Sequence, residues 1–297
     1  MKRVKWIAGV IACGMLGTAA LAQEGRGDVV YVPTPQIVVD TMLDLAKISG
    51  KDYLIDLGSG DGRIPITAAQ KFGAHGMGVD LDTYLLKKAR ENAAKAKVDD
   101  KVKFVEEDLF ETDLSKATVI TSYLLPEMNL KLRPRVMALK PGTRLVAHDY
   151  HFGEWDPEEQ RELVVPGKKV GNPGISYVFY YVVPARVPGK WQSLVNIGGR
   201  DTPVEFNLQQ EFQEVEGSVD IRDRKVKIGG RLLGEQIRLV VPPAKGAPRY
   251  EFSGRVTGDR IDGSVIIGEG ARRQTSAWNA RQVQRGELKR ASDEVTP

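Results

Sequence analysis

Cysteine is almost missing from this chain. Its single copy, Cys13, lies in an N-terminal stretch that reads as removable, so the mature chain would hold none. That excludes a disulfide framework and thiol chemistry. Histidine is scarce as well, with three in 297 residues. His148 and His151 stand three apart, but no cysteine or third histidine is near, which argues against a metal set. No apolar run reaches the ~20 residues a bilayer crossing needs. The best, Trp6 to Ala22, is broken by three glycines. A surplus of one charge sign is lacking too. The formal net charge is +4, and loss of Lys2, Arg3 and Lys5, with no acidic residue beside them, lowers it to +1. That is no electrostatic footprint for nucleic acid, and no nucleic-acid partner is expected.

The first residues have the layout of a secretory signal. MKRVK is basic, Trp6 to Leu16 is apolar, and Ala20-Leu21-Ala22 is a small-x-small cleavage site before Gln23. Val10-Ile11-Ala12-Cys13 resembles a lipoprotein box but sits very early, with apolar sequence after it. Residues 1–22 are therefore expected to be cleaved and the protein exported, to the periplasm, with no membrane span left. A length of 297 residues allows two domains, and 41% hydrophobic with 28% charged residues is ordinary for a globular protein.

The most informative stretch is YLIDLGSGDGRIPI, Tyr53 to Ile66. An apolar strand runs into Asp56, and Gly58, Gly60 and Gly62 follow at alternate positions before a helical segment. Strand, glycine turn and helix start form a place where backbone approaches a ligand closely. Counted from Gly58, a G-x-G-x-x-G dinucleotide loop would need glycine at Arg63, so that pattern fails. Gly76 to Val79 reads as strand two, ending at Asp80, 22 residues after Gly58. An acidic side chain there can accept both hydroxyls of a ribose. Strand three, Val102 to Val105, ends in Glu106-Glu107-Asp108, and Asp108 is placed to bond an adenine amino group, with Glu106 and Glu107 as alternatives. Strand four, Ala117 to Thr121, leads into Ser122-Tyr123-Leu124-Leu125-Pro126, where Tyr123 and Pro126 are candidates for a narrow acceptor slot. Leu130 to Leu139 is expected to be helical, Arg144 to Ala147 to be strand five, and Ile175 to Val183 to be a buried strand paired with a short one near Glu162 to Val165. Before the loop, YVPTP (Tyr31 to Pro35) leads into a helix with Thr34 as N-cap. It reads equally as a plain helix lead-in or as a flap carrying Tyr31 over a ligand.

The loop resembles the D-h-G-x-G-x-G loop of class I S-adenosylmethionine-dependent methyltransferases. YVPTP, DLGSGDGRI, GVDLD, EEDLF, ATVITSYLLP, LKPGTRLV and HFGEW stand in the order seen in the protein-lysine methyltransferase family typified by the ATP synthase c-subunit lysine methyltransferase and its bacterial relatives. The likeness covers roughly residues 29–183. It implies a Rossmann-like, doubly wound α/β sheet and S-adenosylmethionine as cofactor. It also implies a cofactor site drawn from Tyr31, Asp56, Gly58, Ser59, Gly60, Asp61, Gly62, Asp80 and Asp108. A protein lysine is the implied methyl acceptor. A small exported molecule, or a non-catalytic role in binding the cofactor or its demethylated product, are the alternatives. The intact glycines and Asp80 speak against the last.

Composition changes near Pro184 to Gly189. Residues 189–283 alternate polar and apolar in about eight short stretches broken by glycine, which predicts an antiparallel all-β sandwich or small barrel. Domains are thus expected at 23–184 and 189–283, joined where contacts are few, with a frayed polar tail at 284–297. FSGRVTG and IDGSVIIG are loosely similar. The leader makes one direct prediction. N-terminal sequencing of exported protein should begin at Gln23, and a chain that keeps Met1 or starts at a lipidated Cys13 would refute cleavage.

Overall fold

A computed structural model describes residues 31–289. The expected signal at 1–22 and residues 290–297 lie outside that range. Helix α1 (Gln36–Leu45) precedes strand β1 (Tyr53–Leu57), helix α2 (Arg63–Phe72), β2 (His75–Asp80), α3 (Thr83–Lys95) and β3 (Val102–Glu106). Then come β4 (Val119–Ser122), α4 (Pro126–Met137), β5 (Arg144–His148), β6 (Glu159–Val164) and β7 (Ile175–Val182). The seven strands form one sheet in the order β3-β2-β1-β4-β5-β7-β6. The first five are parallel, while β7 runs antiparallel to β5 and β6 antiparallel to β7. This is the doubly wound architecture expected.

Both faces of the sheet are covered, so its central strands are buried along nearly their whole length rather than at alternate positions. In β1, Leu54 packs with Val38, Val39, Met42 and Leu43 of α1. Its neighbour Ile55 faces the other way, onto Leu132 and Val136 of α4. Chain order reverses at β1, with β2 and β3 laid to one side and β4 and β5 to the other. The carboxyl ends of β1 and β4 therefore diverge into a crevice, the usual ligand position of such sheets.

Three local expectations are corrected. Thr34 does not cap α1: Pro35 holds the N-cap position with no side-chain bond. The Thr34 hydroxyl lies 3.3 Å from His148 Nδ1, a tertiary partner that displaces the local one. Helix α4 begins four residues before the expected Leu130, because Pro126 sits in its first turn, where a fixed φ favours the helix and the missing N–H is not needed. The tail was expected from 284, yet the last strand runs to Arg285 and the Lys289 N–H bonds the Gln210 carbonyl at 3.0 Å.

Strands β8 (Gly189–Ile197), β9 (Arg200–Glu211), β10 (Glu214–Ile221), β11 (Arg224–Leu233), β12 (Gln236–Val241), β13 (Tyr250–Thr257), β14 (Arg260–Ile267) and β15 (Gln274–Arg285) form a closed antiparallel barrel. Closure through β15 and β8 leaves no free edge, which settles sandwich against barrel. Alternate side chains point inward, and Trp191, Phe206, Phe252 and Trp278 fill the centre. Phe206 and Phe252 meet edge-on at 5.1 Å, Phe252 and Trp278 at 5.0 Å. In a barrel of eight strands, side chains of this size suffice to fill the centre. The two similar glycine phrases are register partners, Gly254 opposite Gly263, where a Cβ on Gly263 would fall 2.5 Å from Gly254 Cα.

The join between sheet and barrel is not the sparse linker expected. Ala185 and Val187 are buried in the barrel's own core. Gln210 accepts the Val187 N–H and donates to the Ala185 carbonyl, at 2.8 and 2.9 Å. Phe212, in the turn after β9, stacks on the buried Trp155 ring at 6.4 Å, and the Arg133 guanidinium lies 5.2 Å from the Phe212 ring centroid. Gln213 Nε2 donates to the Asp156 carbonyl at 2.8 Å. Gly234 packs on Gly142 and Val182, at the ends of β5 and β7 farthest from the crevice. A chain ended at Pro184 would uncover Trp155 by removing Phe212, and would strip Gly234 from Gly142 and Val182. We predict that it aggregates or melts well below the full chain, measured by light scattering and circular dichroism. A soluble fragment with an unchanged melting point would refute this docking.

Candidate active site

The crevice at the carboxyl ends of β1 and β4 is a cleft of about 490 Å³. Its floor is the turn after β1. Gly58 and Gly60 adopt left-handed φ values of 73° and 52°, which a side chain disfavours. The N–H groups of Gly58 and Ser59 both donate to the Val79 carbonyl, at 3.0 and 2.9 Å, fixing the turn to β2. The Gly60 N–H donates to Asp80 Oδ2 at 2.8 Å, and Asp80 Oδ1 accepts the Asp82 N–H at 3.0 Å. Asp80 thus stands at the strand end, lining the cleft, with its carboxylate oriented by backbone.

One wall is the YVPTP segment. Tyr31, Val32, Pro33 and Thr34 all line the cleft, so the flap geometry is the one adopted. A Cβ on Gly60 would lie 2.3 Å from the Tyr31 ring, so the ring rests directly on the turn. Arg63, first residue of α2, grips Asp61 with Nε and Nη2 at 2.9 and 2.7 Å, and Nη1 donates to the Thr34 carbonyl at 2.8 Å. One guanidinium thereby ties flap to loop. Burial by itself would raise the Asp61 carboxyl, but the Arg63 hydrogen bonds and charge hold it below its ordinary value. Burial, then the Asp61 charge, pushes the Tyr31 phenol up to about 12.

Sequence-expected residues fall into two groups. Tyr31, Asp56, Gly58, Ser59, Asp61, Asp80, Asp108 and Tyr123 line the cleft. Glu107 lines it too, while Glu106 does not. Gly60 shapes the turn under Tyr31. Gly62 serves packing instead of a ligand, since a Cβ there would meet Phe104 at 2.5 Å and Ala89 at 2.9 Å. Pro126 is exposed at the start of α4 and does not line the cleft; Leu124 and Met128 take the place expected of it. Among the described residues no cluster of His, Cys, Asp and Glu could hold a metal. Unforeseen were Arg63, Thr121 and the pair Asp149 and Lys168. Only Arg63 had a sequence signal, its position two residues after Asp61.

The far wall is a buried polar layer. His148 lies between the Thr34 and Ser176 hydroxyls, at 3.3 and 3.1 Å, and its ring packs 3.9 Å from that of Tyr123. Burial pulls its imidazole down to about 4 against the opposing pull of Asp149. A wider depression of about 1570 Å³ at one end of the barrel, rimmed by Arg200, Asp201, Asp259 and Arg260, includes none of these groups.

A family model, the ANTKMT methyltransferase domain, matches residues 56–159. A protein-lysine N-methyltransferase of Saccharolobus islandicus is 44% identical over 131 residues, which cover 43% of this chain and 81% of that protein. The chain belongs to the protein-lysine N-methyltransferase family. A mouse ATP synthase c-subunit lysine N-methyltransferase is 28% identical over 53% of this chain and 67% of its own length. A solved structure described as an RNA methyltransferase from Salinibacter ruber in complex with S-adenosyl-L-homocysteine is 48% identical, over 53% of this chain and 97% of that one, with a TM-score of 0.47.

This methyltransferase uses S-adenosylmethionine, and its cleft fits that ligand. The volume suits a nucleoside-sized molecule. The floor leaves space where a Cβ at Gly58 would come 3.1 Å from Leu124. The buried Ser59 hydroxyl has no partner within the protein, and Asp80 and Asp108 stand at successive strand ends along the cleft.

Asp56 gives the site a pH signature. It is 2% exposed and accepts the Thr121 hydroxyl at 2.7 Å. Burial pushes its carboxyl from 3.8 to about 7, aided by the charges of Asp80 and Asp61 and opposed by Thr121. A raised folded-state pKa means the native state holds the proton more tightly. Its stabilising effect is therefore complete below pH 3.8 and is lost as pH rises toward 7. Asp56→Asn removes the titration and keeps the acceptor for Thr121. The variant's melting temperature relative to wild type should climb steadily between pH 4 and pH 7. A pH-independent difference would refute a buried protonated Asp56.

Proposed function

We propose that this methyltransferase transfers a methyl group to the side-chain amine of a protein lysine. The observation that carries the reading is the likeness to the Saccharolobus islandicus protein-lysine N-methyltransferase across 81% of that protein. The cleft supports it. Beside the cofactor floor, Leu124 and Met128 with the ring of Tyr123 make an apolar end that suits an alkyl chain bearing an amine.

S-adenosylmethionine supplies a methyl group on a sulfonium sulfur, which takes back the electron pair of the broken C–S bond. A lysine nitrogen must arrive neutral, since its ordinary pKa is ~10.4, and must then use its lone pair for the new N–C bond and give up a proton to water. Leu124 and Met128 disfavour a charged ammonium by desolvation. The Tyr31 flap and Leu124 keep water out while the glycine floor and Asp80 fix the donor's position, and alignment of this kind supplies much of the rate. Methyl transfer by in-line displacement requires no nucleophilic or metal-holding residue of the protein.

The barrel lies at the opposite end of the sheet strands from the cleft and contributes no lining residue. We propose that it recruits or positions the acceptor protein from outside the slot, and that this takes place after export, on the strength of the leader pattern.

The test uses mature protein, S-adenosylmethionine labelled in its methyl group, and a cell-envelope fraction. Acid hydrolysis should release the label as methylated lysine. Label in RNA, or in a small molecule that survives protease treatment, would overturn the lysine reading. Gly58→Val should abolish binding of S-adenosylhomocysteine, and Asp80→Ala should weaken it by about 1.5–3 kcal/mol through lost hydrogen bonds to a charged group.

A further inference from the structure

We propose that Tyr123, oriented by Asp149 and Lys168, accepts a hydrogen bond from the N–H of the incoming amine and so leaves the amine's lone pair free for the methyl group. The proposal rests on the reading that the acceptor is an amine.

Tyr123 follows β4 and lines the cleft. Its hydroxyl donates to Asp149 Oδ2 at 3.2 Å. Asp149 follows β5 with a left-handed φ of 61°, and its side chain is 1% exposed. Lys168, in the loop between β6 and β7, donates to the same oxygen and to the Ile175 carbonyl, and its own side chain is 5% exposed. The Tyr177 N–H donates to Asp149 Oδ1 at 3.1 Å. A carboxylate this deep keeps its charge only with a partner, and Lys168 provides one.

The consequence concerns the phenol's single proton. A hydroxyl has one donor and two lone pairs. With its proton committed to a charged carboxylate, Tyr123 can present only lone pairs to the cleft. A neutral amine has two N–H donors and one lone pair. It can bind such an oxygen only through N–H, and its lone pair stays available for bond formation. A phenol with a free proton would hydrogen-bond that lone pair and quench the nucleophile. Burial and the Asp149 charge keep the Tyr123 phenol protonated, so the donor is present throughout the working range. The neutral His148 ring packed on its face fixes the ring plane. Tyr123 is the group that touches the amine; Asp149 and Lys168 are positioning residues.

The test needs no knowledge of the acceptor. Sinefungin carries a primary amine where S-adenosylmethionine carries its S-methyl, while S-adenosylhomocysteine lacks any group there. Calorimetry on the full chain should find that Tyr123→Phe leaves the affinity for S-adenosylhomocysteine within about twofold and weakens sinefungin about tenfold, the cost of a hydrogen bond to a charged group. Lys168→Met should reduce the same ratio, and Lys168→Arg should restore it. An unchanged ratio in Tyr123→Phe, or a parallel loss of both ligands, would overturn the proposal. Should the unmodified protein bind neither ligand at millimolar concentration, the methyltransferase reading beneath it falls instead.

Discussion

The turn after β1 is the constraint on which the site depends. Its backbone leaves β1, passes three glycines in left-handed conformation and starts α2, all while donating three N–H groups to β2 through Val79 and Asp80. That commits Asp80 to the rim, keeps the floor free of side chains at Gly58 and Gly60 and lets the Tyr31 ring settle on Gly60. Arg63 then locks the flap to the same turn through Asp61 and the Thr34 carbonyl. Any side chain at Gly60 would have to expel Tyr31 and adopt a strained φ together, so loop and flap behave as one unit.

Two kinds of buried charge sit around that unit, and they are handled differently. Asp56 and His148 are each pushed toward their neutral forms by burial. Asp149 and Lys168, equally deep, form an ion pair whose remaining polar atoms are taken by Tyr123, Tyr177 and Ile175. Buried pairs of this type add little to stability, because desolvation offsets most of the attraction. They do fix geometry, and here the geometry fixed is that of a cleft-lining phenol. Neutral groups thus lie beneath the glycine turn, and one organised charge pair lies beside Tyr123.

The barrel is docked on the far end of the same sheet, by Phe212 against Trp155 and by backbone bonds at Ala185. Its centre is packed with aliphatic side chains around Trp191, Phe206, Phe252 and Trp278. It is attached at a distance from the cleft, and one of its ends carries a mixed rim of Arg200, Asp201, Asp259 and Arg260.

The residues that the sequence made legible are those bound to local pattern. Glycine spacing, an acidic residue closing each of the first strands, and apolar runs bounded by turns are all dictated by neighbours within a few positions. They determined the doubly wound sheet, the loop, Asp80 and Asp108 at their strand ends, and an all-β region after Gly189. Where partners are far apart in sequence, the same patterns misled. Thr34 had a good N-cap position, yet its hydroxyl turned to His148, 114 residues away. Gly62 matched the loop motif, yet its left-handed φ of 78° and the packing of Phe104 and Ala89 against it, not a place in the cleft, are what call for glycine. Pro184 to Gly189 had the composition of a linker, and Trp155 and Phe212 made it an interface. Lys168 stood in a featureless polar segment, and nothing local joined it to Asp149 or Tyr123. Sheet closure into a barrel, flap contact and the charge pair were decided by tertiary structure alone, because each depends on which distant groups are brought close enough to exclude water.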